Sequence, residues 1–257
     1  MSFPDLLRRF ERHGDTFQLE SIAGWMQGRT LYGGATSLLG YAAVTRLFTD
    51  LPPLRSAQVD FIAPVSGPLV ATARILRRGR NVAQVESRIA VEGALAHRVT
   101  WIFGAEAEQP NAVHPAPTAD VGAGPDGATL AEPGPEWPEF VRQLETRRVN
   151  TGRDTIGVRR WIRLLDRDGL DPIAELVGIG DALPPGSSKA MQRPGPLSSI
   201  SWAFNVVTPE PRTVDGWWLL ESASDFADHG YSGERLRLWN SHGELMLSGL
   251  QSVAIFG

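Results

Sequence analysis

Cysteine is absent from all 257 residues, which removes disulfides, thiolate metal sites and a cysteine nucleophile together. An excess of positive charge is also missing. The formal net charge is −4, so no global basic field favours nucleic acid or an anionic membrane surface. No apolar run approaches the roughly 20 residues that a membrane helix needs. The N-terminal Met1-Ser2-Phe3-Pro4-Asp5 shows no basic stretch followed by an apolar one, so no secretory signal is visible. What remains is the expectation of a soluble, cytoplasmic globular protein, long enough for one large domain or two small ones.

One stretch dominates what is present. A glycine-opened run from Gly28 to Val44, with Gly33-Gly34 followed by Leu38, Leu39, Ala42, Ala43 and Val44, is apolar on nearly every side. Such a helix is buried rather than amphipathic. Leu51-Pro52-Pro53 ends it, because proline disfavours helix in the residue before it. Before it, Phe3 to Arg12 can form a short amphipathic helix and Thr16 to Ser21 an edge strand. After it, four strands are expected: Ala57 to Ile62, Leu69 to Leu76, Val82 to Val91 and Leu95 to Phe103. The last two are joined by a tight Glu92-Gly93 turn. A buried helix followed by a long antiparallel meander suggests a sheet wrapped around a helix.

From Ala105 to about Pro138, prolines crowd among Gly, Ala, Glu and Asp, which predicts a linker without a core of its own. Beyond it the plan repeats. Strands are expected at Phe140 to Val149 and Val158 to Leu165. A helix capped by Asp171 and opened by Pro172 then carries Ile173, Leu176, Val177 and Gly180 to the stop at Pro184-Pro185-Gly186. Further strands are expected at Ser198 to Val206, Trp217 to Ser222, Arg235 to Trp239 and Leu245 to Phe256. Leu95 can be laid over Leu245, and Gln58-Val59-Asp60-Phe61 over Ser199-Ile200-Ser201-Trp202. The chain thus reads as two copies of a helix-plus-sheet unit, residues 1–104 and 139–257, joined by a linker at 105–138 and packed with pseudo-twofold symmetry.

Leu31-Tyr32-Gly33-Gly34 opening an Ala/Leu-rich helix, then Ser56 to Val65, resembles the N-terminal half of the acyl-CoA thioesterase II (TesB-like) family. Gly243-Glu244-Leu245 through Gln251-Ser252 resembles that family's last strand. The likeness spans nearly the whole chain apart from the linker, and it lies in the shared order of individually loose motifs. It implies an α+β protein with two tandem hotdog folds, each an antiparallel sheet around a central helix. It implies an acyl-CoA thioesterase working by a positioned water, with coenzyme A as part of the substrate, no cofactor and no metal. A homodimer is the expected assembly. The family's catalytic trio falls on Asp181, on Ser199 (or, with a slip of one residue, Ser198) and on Gln251. Gly33, Gly34 and Tyr32 become the expected substrate-binding residues.

Taken by themselves, these residues leave two readings each. Asp181 follows Ile173 and Val177 on the helical stripe, where a carboxylate needs hydrogen bonds, yet it also suits a capping or exposed position at a helix end. Gln251 alternates with Leu247, Gly249 and Val253 on one strand face, as a catalytic amide or as one bonded to backbone. Ser199 alone is an ordinary strand serine. Gly33 and Gly34 permit backbone N–H groups to approach an oxyanion, or simply a close helix contact. The overlay sets Asp181, Ser199 and Gln251 against Ala35, Gln58 and Trp101, so only one copy carries the polar constellation. A single kind of site per chain is expected where the first half's helix faces the second half.

Other signals carry less. Arg77, Arg78 and Arg80 read as a solvated basic turn rather than as a site for the phosphates of coenzyme A. Asp225, Asp228 and His229 lack a second suitably spaced histidine for a metal. Trp217 and Trp218 suit core and sheet face. Two other functions remain in view: a non-catalytic acyl-CoA binder, and a MaoC-type enoyl-CoA hydratase. The latter's Asp-x-Asn-Pro-x-His motif is absent.

Overall fold

The computed structural model describes residues 1–149 and 155–256. Ser2 starts the first helix, α1 (Phe3–Arg9), by a reciprocal capping box with Asp5. Short strands β1 (Glu11–His13) and β2 (Thr16–Leu19) follow, then a two-stranded hairpin of β3 (Met26–Gln27) and β4 (Thr30–Leu31). Gly28, at φ 64°, makes the turn of that hairpin, so the glycine-opened helix begins later than its sequence run suggests. It is α2 (Gly33–Leu47), and every residue from Gly34 to Val44 is buried. The all-round apolar pattern therefore has the meaning expected of it.

The meander β5 (Leu54–Phe61), β6 (Leu69–Arg78), β7 (Val82–Val91) and β8 (Ala94–Gly104) wraps α2. Glu92 and Gly93 both take positive φ between β7 and β8, the conformation a tight hairpin demands. In the second half come β9 (Thr129–Leu130), β10 (Leu144–Arg148), β11 (Gly157–Leu164), α3 (Pro172–Ile179), β12 (Leu197–Val206), β13 (Trp218–Asp228), β14 (Tyr231–Trp239) and β15 (Leu245–Ile255). The expected strand at Phe140 to Val149 is shorter. Glu139–Gln143 is a turn of 3₁₀ helix that buries Phe140 and Val141. The Pro-rich stretch is also less bare than expected. β9 pairs with β10, and Ala116, Ala119, Val121 and Ala128 cover a small cluster of Trp161, Trp217 and Trp239.

Among the described residues, thirteen strands join in one sheet, in the order β1-β2-β6-β7-β8-β5-β12-β15-β14-β13-β11-β10-β9. The seam is the antiparallel pair β5–β12, where Gln58 lies opposite Ala203. One large core, from Phe3 and Leu39 to Trp202 and Leu247, runs through both halves. The protein is two hotdog folds in tandem, fused along one sheet.

The repeat is real, but its register corrects part of the overlay. Leu95 over Leu245 carries Thr100 to Leu250 and Phe103 to Val253. Thr100 pairs with Gln58 and Leu250 with Ala203, while Phe103 pairs with Leu54 and Val253 with Ser199. The counterpart of Ser199 is therefore Leu54, and that of Gln58 is Ala203. A register shift immediately follows in both strands, between Leu54 and Ser56 and between Ser199 and Ser201. The bulge itself repeats, and the alignment of Gln58 with Ala203 lies four residues along the strand from Ser199.

Candidate active site

Asp171 begins α3 by accepting a hydrogen bond from the Ala174 N–H at 2.9 Å, with Pro172 in the first turn. The helix ends at Ile179, with Gly180 as its C-cap, so Asp181 lies just beyond the helix rather than on its stripe. Glu175 pins the helix to the sheet. Fully buried, it accepts from the Trp218 indole N–H at 2.9 Å and from Arg167 at 2.7 Å. Burial pushes the Glu175 carboxyl up, and these two donors oppose the shift.

Gln251 sits on the inner face of β15, 5% exposed, and donates from Nε2 to Asp181 Oδ1 at 2.7 Å. Asp181 keeps part of its surface open, while protein packs around the rest of its carboxyl. Desolvation raises its pKa to about 7, and the Gln251 hydrogen bond pulls the other way. Among the described residues, neither Asp181 Oδ2 nor Gln251 Oε1 has a hydrogen-bond partner. Two free acceptors on adjacent side chains match the two protons of one water molecule.

The start of α2 closes the other side. A Cβ at Gly33 would collide with the Asp181 carboxylate, and one at Gly34 with the Gly178 carbonyl and the Tyr32 hydroxyl. Glycine is needed at both positions for the two helices to meet. The first-turn N–H groups of a helix have no intrahelical acceptor, and Gly33 and Gly34 are the first two residues of α2. Tyr32, the N-cap residue, is 1% exposed and stacks on Phe140 at 4.0 Å. It supports the wall of the site from within and does not present its ring to solvent.

Ser199 faces the same inner side as Gln251, since it pairs with Val253, two positions along β15. Its neighbour Ser198 is exposed, so of the two serines Ser199 is the inward one. Among the described residues no hydrogen bond ties Ser199 to Asp181 or Gln251. The structure thus brings together Asp181, Gln251, Gly33 and Gly34, sets Ser199 further along the same face and Tyr32 behind it. In the first half Trp101, the counterpart of Gln251, rests on Tyr41 of α2 with ring centroids 5.6 Å apart. Where Gln251 meets Asp181 in the second half, Trp101 thus meets Tyr41 of α2 in the first, while Ala35 stands near the start of that helix. The asymmetry holds: one half has a polar pair where the other has an aromatic one.

Three features escaped the sequence reading. Trp202, opposite Gln251 in register and fully buried, lies with its ring tip 2.8 Å from where a Cβ at Gly180 would stand. Phe61 presses on Gly33 in the same way, at 2.9 Å. Glu234, opposite Gln251 on β14, is 1% exposed and accepts from the backbone N–H groups of Gly186 and Ser187 and from the Ser232 hydroxyl. It holds the turn after α3. Each looks like an ordinary inward strand residue until the fold places it.

The remaining polar signals are surface pairs. Asp225 pairs with Arg235 at 3.0 Å, Asp228 with His229, and Arg78 with Asp50. Among the described residues, no group of His, Cys, Asp and Glu is placed to hold a metal, and no helix is long and apolar enough to cross a membrane.

The sequence matches the acyl-CoA thioesterase N-terminal domain family over residues 22–104 and the acyl-CoA thioesterase C-terminal domain family over residues 117–255. Among curated proteins, none matches the chain. Solved structures with the same fold include a hot dog fold protein from Alicyclobacillus acidocaldarius, at 20% identity and TM-score 0.87, covering 99% of this chain and 98% of that one. The acyl-CoA thioesterase II TesB2 of Mycobacterium marinum is similar at 16% identity and TM-score 0.78, over 98% and 97% of the two chains. A TesB protein of Mycobacterium avium subspecies paratuberculosis is similar at 16% identity and TM-score 0.79, over 100% of each. With both halves matched in order across the tandem hotdog, the chain belongs to the acyl-CoA thioesterase family and is a thioester hydrolase.

Proposed function

We propose that the protein hydrolyses a fatty acyl-CoA, or a closely related thioester, to the free acid and the thiol by direct attack of water. The observation that carries this reading is the Gln251–Asp181 hydrogen bond, made at the end of α3 against the open N-terminus of α2. Asp181 Oδ2 takes one proton of the water as its oxygen adds to the thioester carbonyl carbon, and Gln251 Oε1 holds the other proton. A carboxyl with a pKa of about 7 is matched to that task near neutrality. The oxyanion that forms accepts hydrogen bonds from the N–H groups of Gly33 and Gly34, favoured by the positive end of α2. When the tetrahedral adduct collapses, the C–S bond breaks and the protonated Asp181 supplies the proton for the departing thiolate. Water, a base and donors suffice for this chemistry. Ser199 contributes a hydroxyl further along the same face, as a third group to hold the water or the substrate.

The test is release of free thiol from a series of acyl-CoAs, with Asp181→Asn and Gln251→Ala beside the unaltered protein. Turnover lost in both folded variants supports the reading. Turnover that persists in Asp181→Asn places the base elsewhere, and binding of acyl-CoA without any turnover makes the protein a binder.

A further inference from the structure

Two aromatic rings press on the glycines beside Asp181, and they differ in one respect. Trp202, against Gly180, has no exposed surface, whereas Phe61, against Gly33, is only partly buried. Phe61 is the last residue of β5 and lies on the inner face with Ala57 and Val59. Directly opposite it on β8 is His97, with the two rings 5.5 Å apart. Ser37, one helical turn on from Gly33, reaches His97 Nε2 at 3.3 Å. The sequence of contacts Asp181, Gly33, Phe61, His97 with Ser37 therefore leads from the open carboxylate into the interior of the first hotdog. The nucleotide end of an acyl-CoA is charged and stays in water, so its apolar acyl group takes the inward direction. On this side of the site, the first large side chain it meets is Phe61.

The Ser37–His97 pair sets the character of the interior beside that ring. His97 is 1% exposed, and desolvation holds its pKa down at about 3, so the ring is neutral. Ser37 has no other hydrogen-bond partner among the described residues. If its O–H donates to Nε2, only one polar group is left unpaired, the Nδ1–H; the opposite arrangement leaves two. A long alkyl chain pushed past Phe61 would have to enter packed interior that holds a buried, unpaired polar group, and would gain little.

We propose that Phe61 is the specificity-determining residue of this site: its ring closes the acyl end and restricts the enzyme to short-chain acyl-CoA thioesters. The inference rests on the hydrolytic reading given above. Ring and polar pair act in the same sense, the first by blocking the inward path and the second by making the interior beside it unrewarding for an apolar chain.

The experiment measures kcat/KM for butyryl-, hexanoyl-, octanoyl- and dodecanoyl-CoA with the unaltered protein, Phe61→Ala, Phe61→Leu and the double variant Phe61→Ala/His97→Leu, each checked for native circular dichroism. The unaltered protein should favour the short end of the panel. Phe61→Ala should raise the dodecanoyl-to-butyryl ratio by about tenfold or more, the discrimination that even one methylene-sized change can bring. Phe61→Leu should move it less in the same direction, and it carries the test if the alanine variant does not fold. The double variant should raise the ratio beyond Phe61→Ala alone. A ratio unchanged within about twofold in the folded Phe61 variants overturns the inference, as does an unaltered protein that prefers dodecanoyl-CoA; both leave the thioesterase reading intact. Absence of turnover on every thioester removes that reading and the inference with it.

Discussion

At the scale of single residues, the site turns on a carboxyl whose environment opposes its charge. Asp181 titrates near 7 in the folded protein and near the ordinary aspartate value of 3.8 when unfolded. For catalysis the ionised form is the base, so kcat/KM should climb with pH and level off above about 7. For stability the sign is reversed. Between the two pKa values the folded state binds more protons than the unfolded one, so this residue makes the protein less stable as pH rises through that window. Asp181→Asn should therefore lower kcat/KM by about 10²–10⁴-fold yet melt higher than the unaltered protein at pH 8, with the advantage shrinking towards pH 4. Thermal melts at both pH values check this, and an advantage that grows on acidification would contradict it. Gln251→Ala removes a hydrogen bond that favours the carboxylate, so the inflection of its pH–rate profile should move upward. An unmoved inflection would detach Gln251 from the base.

At the scale of elements, the position of Asp181 depends on how α3 is pinned and how closely α2 approaches it. Glu175 joins α3 to Trp218 and Arg167. Glu175→Ala leaves the buried indole N–H unpaired and should cost about 1–3 kcal/mol in chemical denaturation, with activity falling as the helix end loosens. Glu175→Gln, which keeps an acceptor, should cost less. Gly34→Ala places a methyl group on the Gly178 carbonyl, and an overpacked contact of that kind should destabilise by about 1–3 kcal/mol and depress turnover. A neutral result in both assays would mean that the helices do not meet so closely. These elements show what the sequence could and could not reveal. The buried helix was legible because α2 is apolar all round, and β7 because the apolar residues Ala83, Val85, Ile89 and Val91 fall on alternating positions. The start of α2 was not, since Gly28 belongs to a separate hairpin turn. Phe140 reads as a strand residue in the sequence because an apolar side chain in a short segment has no period to declare itself, whereas it lies in a 3₁₀ turn.

For the whole molecule, the tandem repeat was readable from Leu95 over Leu245, while the exact partner of Ser199 was not. Only the pairing of Leu54 with Phe103 and of Ser199 with Val253 fixes that register. Likewise Asp181 and Gln251 were singled out by resemblance, but their meeting, 70 residues apart in the chain, is a product of the fold. Phe61 and Trp202 were invisible as site residues, because nothing local distinguishes an aromatic wall from an aromatic core. The seam β5–β12 and a core shared by both halves make the two hotdogs one cooperative unit. Thermal unfolding followed by tryptophan fluorescence and by far-ultraviolet circular dichroism should give one coincident transition. Two separated transitions would mean that the halves stand independently.

The central claim is that Asp181, held by Gln251 against the opening of α2, activates water for thioester hydrolysis. It is tested most directly by the pH dependence of thiol release from a short acyl-CoA, measured on the unaltered protein and on Asp181→Asn. A rise that levels off above about pH 7 is expected in the first and a loss of turnover at every pH in the second. A folded Asp181→Asn variant with undiminished turnover and the same pH profile would contradict it.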